Sequence, residues 1–457
     1  MNEQRQRIKY IVGDFIAVAL MWFIFNIIRL NDISTCFDFS KLTTFITDST
    51  VIKGQITVPF CWVILSYYSG YYNQPLGKSR LEECITTFFT SLTGTLVIFF
   101  LVILNGLSDN ENIYNKLFFA LFFLSFATVY ASRLCITQAA AKRIRRREWM
   151  VKSLVIAKGE KAEYMTHLLK RPIDAVAYSI EGFVDPDCPG DLTELIAEKQ
   201  ISVLIVSIDS NDDADLLKML HSLYQYHLPI KIPLSNHKIL TGGIKTRSIT
   251  GVPLIDLASN KFSEAEKNIK YSLDKIISAL LMALLSPLYV LLALQIKLSS
   301  KGPVIFKQER VGYRGKVFMM YKFRTMVENA EESGPMLSSL DDCRVTNFGH
   351  FMRKYRLDEL PQFWNILKGD MSLVGPRPER KHYVDKIVQT APWFYLLQNI
   401  RPGVTSWGMV KYGYATTIKQ IIERVEYDIV YYENMSLFID FKILIYTIRT
   451  IFMGRGI

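Results

Sequence analysis

The sequence predicts a protein of three parts: an α-helical bundle of four membrane spans, a Rossmann-like α/β domain, and a second α/β domain that carries a re-entrant membrane helix. Four apolar runs occupy the first third of the 457 residues, and strands and helices alternate from Val151 onwards. A fifth apolar run is interrupted by Ser286-Pro287. The expected boundaries are 1–148 for the bundle, 149–240 for the Rossmann-like domain, 241–266 for a linker and 267–457 for the last domain.

The composition is both hydrophobic and basic. Half of the residues are hydrophobic, 13% are aromatic, and 54 Lys and Arg exceed 43 Asp and Glu, for a net charge of +11. Such a chain suits an anionic partner, which could be a membrane surface, phosphates or nucleic acid. The six cysteines form no C-x-x-C pair, which argues against a disulfide framework or a zinc site.

Each of the first four apolar runs is long enough for a membrane span, which needs about 20 residues. The runs cover residues 11–30, 52–72, 85–104 and 117–137. Lysines and arginines flank the first, separate the second from the third and follow the fourth, whereas the other two loops are acidic. The positive-inside rule therefore places the loop 108–112 in the periplasm and both ends of the bundle in the cytoplasm. We expect Asp14, one turn into the first span, at the membrane interface.

The middle of the chain alternates short strands with amphipathic helices. Strands are predicted at 151–156, 177–184, 202–208 and 230–233, and helices at 160–170, 192–199 and 214–226. This alternation implies a parallel sheet. The first turn contains only Gly159, whereas a dinucleotide site requires G-x-G-x-x-G, so a structural or regulatory module is expected rather than a cofactor site.

The fifth apolar run, residues 276–298, has lysines on both sides, so both of its ends are predicted to be cytoplasmic, Lys301 among them. Pro287 removes a helix hydrogen bond, and Ser286 can satisfy the freed carbonyl. We therefore predict a re-entrant helix over 271–298 that breaks at this dipeptide. The alternative is an ordinary span with a kink.

Two further stretches combine charge with turn residues. Residues 302–315 and 318–326 alternate apolar and basic side chains, which predicts a hairpin with a cationic face.

Pro361 suits the first turn of a helix, so a helix is expected to start near Asp358. The helix dipole and nearby cations would keep that carboxylate ionised, and adjacent Glu359 makes a pair of acids. The alternative is a capped helix with a solvated charged face.

Several blocks, in this order, resemble the bacterial sugar transferases, the monotopic phosphoglycosyl transferases. The matching pieces are Ser286-Pro287, Glu309-Arg310-x-Gly312, Tyr321-Lys-Phe-Arg-Thr-Met326, Leu357-Asp-Glu-Leu-Pro-Gln362, Gly369-Asp-Met-Ser372, Gly375-Pro-Arg-Pro378 and Arg401-Pro-Gly-Val-Thr405. The resemblance runs from about Lys267 to the C-terminus. The bundle and middle domain are similar to those of the long members, of the undecaprenyl-phosphate glucose phosphotransferase type.

The resemblance implies that sugar-1-phosphate passes from a UDP-sugar, with UDP-glucose the first expectation, to undecaprenyl phosphate, with release of UMP. It implies that Asp358 attacks the β-phosphorus and forms an aspartyl-phosphosugar intermediate, while Glu359 binds Mg²⁺. Substrate phosphates are expected at Arg377, Arg324, Lys322 and Arg353. This would be the first step of exopolysaccharide, capsule or O-antigen synthesis.

The resemblance also implies a place in the bacterial inner (cytoplasmic) membrane, with the catalytic domain on the cytoplasmic face of the bilayer. A homodimer is expected, and no nucleic acid partner. Many relatives read Thr-Gly-Trp and then Val-Asn-Gly-Arg, whereas this chain reads Thr405-Ser406-Trp407-Gly-Met-Val-Lys411-Tyr412-Gly413-Tyr414. Galactose and N-acetylated or deoxy sugars therefore stay open beside glucose. Two other classes remain: a membrane glycosyltransferase that moves only the sugar and releases UDP, and a non-enzymatic membrane scaffold.

Overall fold

The structure, a computed structural model, describes residues 2–33, 48–103, 111–170, 177–186, 190–208, 213–233, 254–256, 262–327, 330, 336, 342–413 and 415–454. The chain divides into two compact units. The first comprises Met1–Ser207 and Lys231–Ile255, and the second comprises Ile208–Ile230 and Asp256–Ile457. The predicted loop 108–112 and linker 241–266 lie largely outside the described residues.

The first unit begins with four helices, which are α1 (Asn2–Ile33), α2 (Ser49–Tyr68), α3 (Arg80–Ile98, continued by a π turn) and α4 (Glu111–Arg145). Of these, α1, α3 and α4 are long and apolar enough to cross a membrane, which confirms three of the four predicted spans. The second prediction is corrected: α2 is a helix but does not reach that apolarity. Its polar residues Lys53 and Gln55 and its internal Pro59 account for the difference.

A fully buried ion pair lies inside this bundle. Asp14 on α1 is fully buried within the bundle. Its place at the membrane interface stays a prediction, because burial among helices does not fix its depth. Arg133 on α4 donates to both Asp14 oxygens, from Nη2 at 2.6 Å and from Nε at 3.0 Å. It also donates to Thr87 Oγ1 at 3.0 Å and to Ser66 Oγ at 2.9 Å. One polar group on each of α1, α2 and α3 is therefore satisfied by a single guanidinium on α4.

The α/β part of the first unit has the predicted parallel pairing. Its strands are β1 (Met150–Ala157), β2 (Ala177–Val184), β3 (Val203–Ser207), β4 (Ile230–Pro233) and β5 (Leu254–Asp256), in the sheet order β2-β1-β3-β4-β5. Strand β1 pairs in parallel with β2 and β3, and its second half is buried. The helices are α5 (Glu160–Lys170), α6 (Thr193–Lys199) and α7 (Asp213–Tyr224), the last of which falls in the second unit. Strand β5 lies within the stretch expected to be a linker.

The second unit contains a bent pair of helices, α8 (Glu264–Leu284) and α9 (Ser286–Ser299), which meet at an angle of 63°. The break falls at Ser286-Pro287, as predicted. Pro287 has no N–H for the carbonyl of Ala283 one turn back, and Ser286 Oγ donates to that carbonyl at 2.8 Å. A broken span and a re-entrant loop both have this form.

Helix α8 has its polar side chains inward and its apolar side chains outward. Lys270 and Asp274 are buried, whereas Ile276, Leu280 and Leu284 are exposed. Lys270 Nζ donates to Asp440 at 2.5 Å, and Ser372 Oγ donates to Asp274 at 2.5 Å. A helix surface of this kind is stable when lipid, rather than water, covers the apolar side.

The remaining elements of the second unit are β6 (Ile305–Val311), β7 (Val317–Phe323), α10 (Asn347–Lys354), α11 (Gln362–Lys368), β8 (Ser372–Val374), α12 (Lys381–Thr390), β9 (Gly403–Thr405), α13 (Trp407–Lys411), α14 (Ile418–Glu433) and α15 (Leu437–Phe452). Strands β6 and β7 form the predicted antiparallel hairpin, with Ile305 opposite Phe323. The core that supports the hairpin includes Met320, Ile366, Leu373, Ile387 and Val425.

We expect the Asp14–Arg133 pair to behave as one unit in unfolding. Arg133→Gln or Asp14→Asn alone leaves a buried group without its partner, and each should lower the free energy of unfolding by about 3–5 kcal/mol. The double variant should lose clearly less than the sum. Equilibrium unfolding in a mild detergent measures all three. Strictly additive losses would show that the two side chains do not interact.

The bend should depend on Pro287. In a variant without native cysteines, a cysteine at position 301 should react with a membrane-impermeant thiol reagent only after the cytoplasmic face is opened. Pro287→Ala restores the missing N–H and should favour a straight helix, so that part of the population reacts from outside. Labelling of position 301 from outside in the parent protein would contradict the re-entrant arrangement.

Candidate active site

A cavity of about 280 Å³ in the second unit brings together the residues that the sequence singled out. Its lining includes the six residues predicted to act on substrate, namely Asp358, Glu359, Lys322, Arg324, Arg353 and Arg377. They come from four separate segments: the end of β7, helix α10, the turn before α11 and the loop after β8. The four segments therefore meet around the acidic pair, Asp358 and Glu359.

The acidic pair lies on a tight turn rather than at a helix start. Arg356 adopts the left-handed conformation with φ 53°, and Leu357–Glu359 then form one 3₁₀ turn. Pro361 is the N-cap of helix α11, which therefore has its first helical residue at Gln362. Asp358 and Glu359 are only 8% and 7% exposed, which excludes the alternative of a solvated charged face.

Three cations surround Glu359. Lys322 Nζ lies 2.8 Å from its Oε1, Arg377 Nη1 lies 3.5 Å from the same oxygen, and Arg356 Nη1 lies 3.5 Å from Oε2. Asp358 has a longer contact, 4.0 Å from its Oδ2 to Lys322 Nζ. The cations are therefore concentrated on the second acid of the pair.

The two acids consequently differ in their pKa. Burial raises the pKa of Asp358, and the attraction of Lys322 opposes this only in part. Burial acts in the same direction on Glu359, but Lys322, Arg377 and Arg356 outweigh it and hold the pKa of Glu359 well below its usual range. This corrects the expectation that the cations serve mainly to keep Asp358 ionised. Glu359 is the fixed anion, and Asp358 is the more basic carboxylate.

Arg377 is positioned by the rigid Gly-Pro-Arg-Pro loop. Gly403 N donates to Pro376 O at 2.9 Å, and Gly375 N donates to Thr405 O at 3.1 Å. A Cβ on Gly375 would lie 2.3 Å from the carbonyl oxygen of Arg401, so only glycine allows this approach. The guanidinium is directed to the cavity, where Nη1 also contacts Met409 Sδ at 3.3 Å.

The other two predicted phosphate ligands line the cavity without contacting the acids. Arg353 Nε donates to Thr325 Oγ1 at 3.0 Å. Arg324 Nη2 donates to the carbonyl and the hydroxyl of Ser300, both at 2.8 Å. Across the ranges that the structure describes, neither arginine forms an ion pair with Asp358 or Glu359.

A second charged group in the cavity wall was not predicted from the sequence. Glu379 lies between Arg424 and Arg310, with its Oε1 2.5 Å from Arg424 Nη2 and its Oε2 3.4 Å from Arg310 Nη1. Glu379 follows the Gly-Pro-Arg-Pro motif directly, which is the only sequence signal for it. Arg424 lies within an amphipathic helix, and no pattern marks it.

The described parts of the chain contain no group of three His, Cys, Asp or Glu that could hold a metal ion. The pair Asp358 and Glu359 nevertheless suits Mg²⁺, which is usually bound by one or two carboxylates and completed by substrate phosphates and water. Both carboxylates line the cavity, where a diphosphate could supply those remaining oxygens.

Comparison with known proteins agrees with this geometry. Residues 265–454 match the family described as bacterial sugar transferase. The UDP-N-acetylgalactosamine-undecaprenyl-phosphate N-acetylgalactosaminephosphotransferase of Aeromonas hydrophila is 40% identical over 230 residues, which are 50% of this chain and 54% of that protein. The UDP-glucose:undecaprenyl-phosphate glucose-1-phosphate transferase of Escherichia coli K12 is 31% identical over 282 residues, 60% of each chain.

A third relative, the UDP-glucose:undecaprenyl-phosphate glucose-1-phosphate transferase of Caulobacter vibrioides, is 40% identical over 186 residues. These are 40% of this chain and 69% of the relative. The chain spans only 54% and 60% of the length of the first two relatives. All the motifs that line the cavity lie within the matched region, residues 265–454. The chain belongs to the bacterial sugar transferase family.

Proposed function

We propose that this protein transfers sugar-1-phosphate from a UDP-sugar to undecaprenyl phosphate, with release of UMP and through a covalent intermediate on Asp358. The observation that carries the proposal is the buried Asp358-Glu359 pair in a cationic cavity of a chain from this family. The names of the relatives supply both substrates. Residues 267–457 form the proposed catalytic domain.

In the first half of the reaction, an oxygen of Asp358 attacks the β-phosphorus of the donor. A new bond joins this oxygen to phosphorus, the bond from phosphorus to the bridging oxygen breaks, and UMP leaves with that electron pair. Lys322, Arg356 and Arg377 already lie around Glu359 and can turn to the incoming diphosphate. Phosphoryl transfer depends mainly on such positioning and charge stabilisation.

In the second half, a phosphate oxygen of undecaprenyl phosphate attacks the same phosphorus. The phosphorus–oxygen bond to Asp358 breaks and the free carboxylate returns, so no net proton transfer is required. Glu359 with the donor phosphates would hold Mg²⁺, which when bound would neutralise diphosphate charge and favour the departure of UMP. The raised pKa of Asp358 fits its role, because a more basic carboxylate is the stronger nucleophile once ionised.

The membrane arrangement proposed here lets a soluble donor and a lipid acceptor meet. The bent pair α8 and α9 enters the cytoplasmic leaflet and returns, with Ser286 and Pro287 at the break. The apolar outer surface of α8 supports this placement. The protein would then reside in the bacterial inner membrane with its cavity towards the cytoplasm, and we retain the homodimer as part of the proposal.

The donor sugar is glucose or N-acetylgalactosamine by analogy with the relatives. UDP-glucose remains our first prediction from the sequence. The segment that departs from the family pattern contributes to the cavity wall, because Met409 and Gly413 line it and Ser406 caps the helix that carries Met409. A sugar bound near this segment would contact side chains that differ from those of many relatives.

A screen of nucleotide release over a panel of UDP-sugars tests the function directly. Purified protein in nanodiscs with undecaprenyl phosphate should release UMP from UDP-glucose or UDP-N-acetylgalactosamine, and mass spectrometry should identify a prenyl diphosphate sugar. Release of UDP instead would support a glycosyltransferase that moves the sugar alone. No turnover with any donor would favour the non-enzymatic scaffold.

Replacement of each acid should give a different defect. Asp358→Asn removes the nucleophile and should abolish both UMP release and covalent labelling by a donor with a labelled β-phosphate. Glu359→Gln should slow the reaction by roughly 10²–10³-fold, because a preorganised charge is lost, and should change its Mg²⁺ dependence. The residual activity of Glu359→Gln should still label Asp358.

Peptide mapping of the trapped adduct provides the decisive measurement. A label on Glu359, or full activity in Asp358→Asn, would refute the assignment of the nucleophile. Arg314→Gln, which changes an exposed arginine on the hairpin turn, serves as the control and should retain activity.

A further inference from the structure

The guanidinium of Arg324, in the cavity wall, is only partly used: in the described part of the chain, two of its nitrogens lack a hydrogen bond, against one for Arg424. Arg324 is 7% exposed, and its Nε and Nη1 make no hydrogen bond within the described residues. By contrast, Lys322, Arg356 and Arg377 all lie near Glu359. An arginine remains charged even when buried, and buried polar groups of native proteins nearly always have a partner. Unused donors on a buried cation of the cavity wall therefore point to an anionic ligand.

Among the guanidinium nitrogens of Arg324, Nη2 alone makes a hydrogen bond within the described residues, and this contact connects the side chain to the end of the bent helix pair. Its Nη2 donates to the carbonyl and hydroxyl of Ser300, the residue that follows α9. Along α9, Val290, Leu291 and Leu294 are exposed, so this arm presents an apolar surface that suits lipid. Arg324 is thereby placed at the point where α9 ends, which in the proposed arrangement is the level of the lipid headgroups.

The cavity wall next to Arg324 is apolar and open. Phe306 and Val327 line the cavity and are exposed, and Leu298 near the end of α9 is among the most exposed apolar residues described. A ligand with a phosphate and an apolar chain matches this combination of a buried guanidinium and an apolar rim. A nucleotide sugar, which is polar throughout, does not match the rim.

We propose that Arg324 is the binding site for the phosphate of the prenyl acceptor, separate from the cations that receive the donor diphosphate. This inference rests on the proposed function and assigns the acceptor side of the same cavity. Nε and Nη1 point to different sides of the guanidinium, so one of them would donate to an oxygen of the phosphate monoester as a charge-assisted hydrogen bond. Another oxygen of this phosphate then attacks the phosphorus held on Asp358, and the Asp358 carboxylate leaves.

A division of this kind has a chemical advantage. After UMP departs, the sugar phosphate on Asp358 still carries negative charge, and Lys322 and Arg377 remain beside it. A second phosphate would compete for these two cations, whereas a cation held by Ser300 can receive it independently.

The two half-reactions separate the roles of these arginines. Without acceptor, UMP release from the donor reports adduct formation, and addition of a prenyl phosphate reports its discharge. Arg324→Gln should leave single-turnover UMP release within about twofold of the parent, while the KM for prenyl phosphate rises about tenfold or more, as loss of a charge-assisted hydrogen bond predicts. Arg324→Lys should recover part of the loss. Arg377→Gln should instead impair UMP release, and Arg314→Gln should change neither.

An anionic lipid headgroup is the other source of a phosphate at this level of the membrane. The assays are therefore run in nanodiscs of phosphatidylcholine alone and in nanodiscs that also contain phosphatidylglycerol. The inference requires the Arg324→Gln defect in both. A defect confined to the anionic bilayer would assign Arg324 to lipid binding and overturn the proposal.

Two further outcomes would overturn it. An unchanged KM for prenyl phosphate in Arg324→Gln would show that the acceptor binds elsewhere. Equal loss of both half-reactions in Arg324→Gln and Arg324→Lys would assign the side chain to the donor or to the fold. If the parent protein releases no UMP from any donor, the proposed function itself fails, and that result is distinct from a defect limited to discharge.

Discussion

The buried charge of Glu359 sets the arrangement of the cavity, because three cations from three separate segments lie 2.8, 3.5 and 3.5 Å from its oxygens. Each cation depends on its own scaffold: the hairpin for Lys322, a left-handed turn for Arg356 and the Gly-Pro-Arg-Pro loop for Arg377. Without the carboxylate, these charges would repel one another in a site of low dielectric. Glu359 thus keeps three cations close together, as the proposed binding of the donor diphosphate requires.

Helix α8 of the second unit reverses the usual pattern of apolar side chains inside and polar side chains outside. Helix α8 buries Lys270 and Asp274 against partners on α15 and β8, and it exposes leucine and isoleucine. The ion pair of Lys270 with Asp440 fixes the helix to α15, and the hydrogen bonds from Ser372 Oγ to Asp274 and from Lys270 Nζ to Val374 O fix it to β8, the strand that precedes the Gly-Pro-Arg-Pro loop. The position of α8 and the position of Arg377 are therefore linked by a short series of hydrogen bonds.

The sequence predicted those features that depend on residues close to one another along the chain. The break at Ser286-Pro287, the strands of the parallel sheet and the hairpin of β6 and β7 all depend on such neighbours. The residues missed were those whose partners are distant in the chain. Asp14 is separated from Arg133 by 119 positions and Glu379 from Arg424 by 45, so neither partner could be identified from local charge. The pKa of Asp358 likewise depends on burial, which no spacing reveals.

The same long separation has a consequence for how the protein is made. Asp14 lies on α1, which is synthesised before α4, the helix that carries its partner Arg133. A charged aspartate without its partner is costly within a bilayer. Whenever α1 lies in a membrane before α4 is made, Asp14 lacks the guanidinium that it contacts in the folded bundle, so the contact links the stability of the earlier helix to the synthesis of the later one.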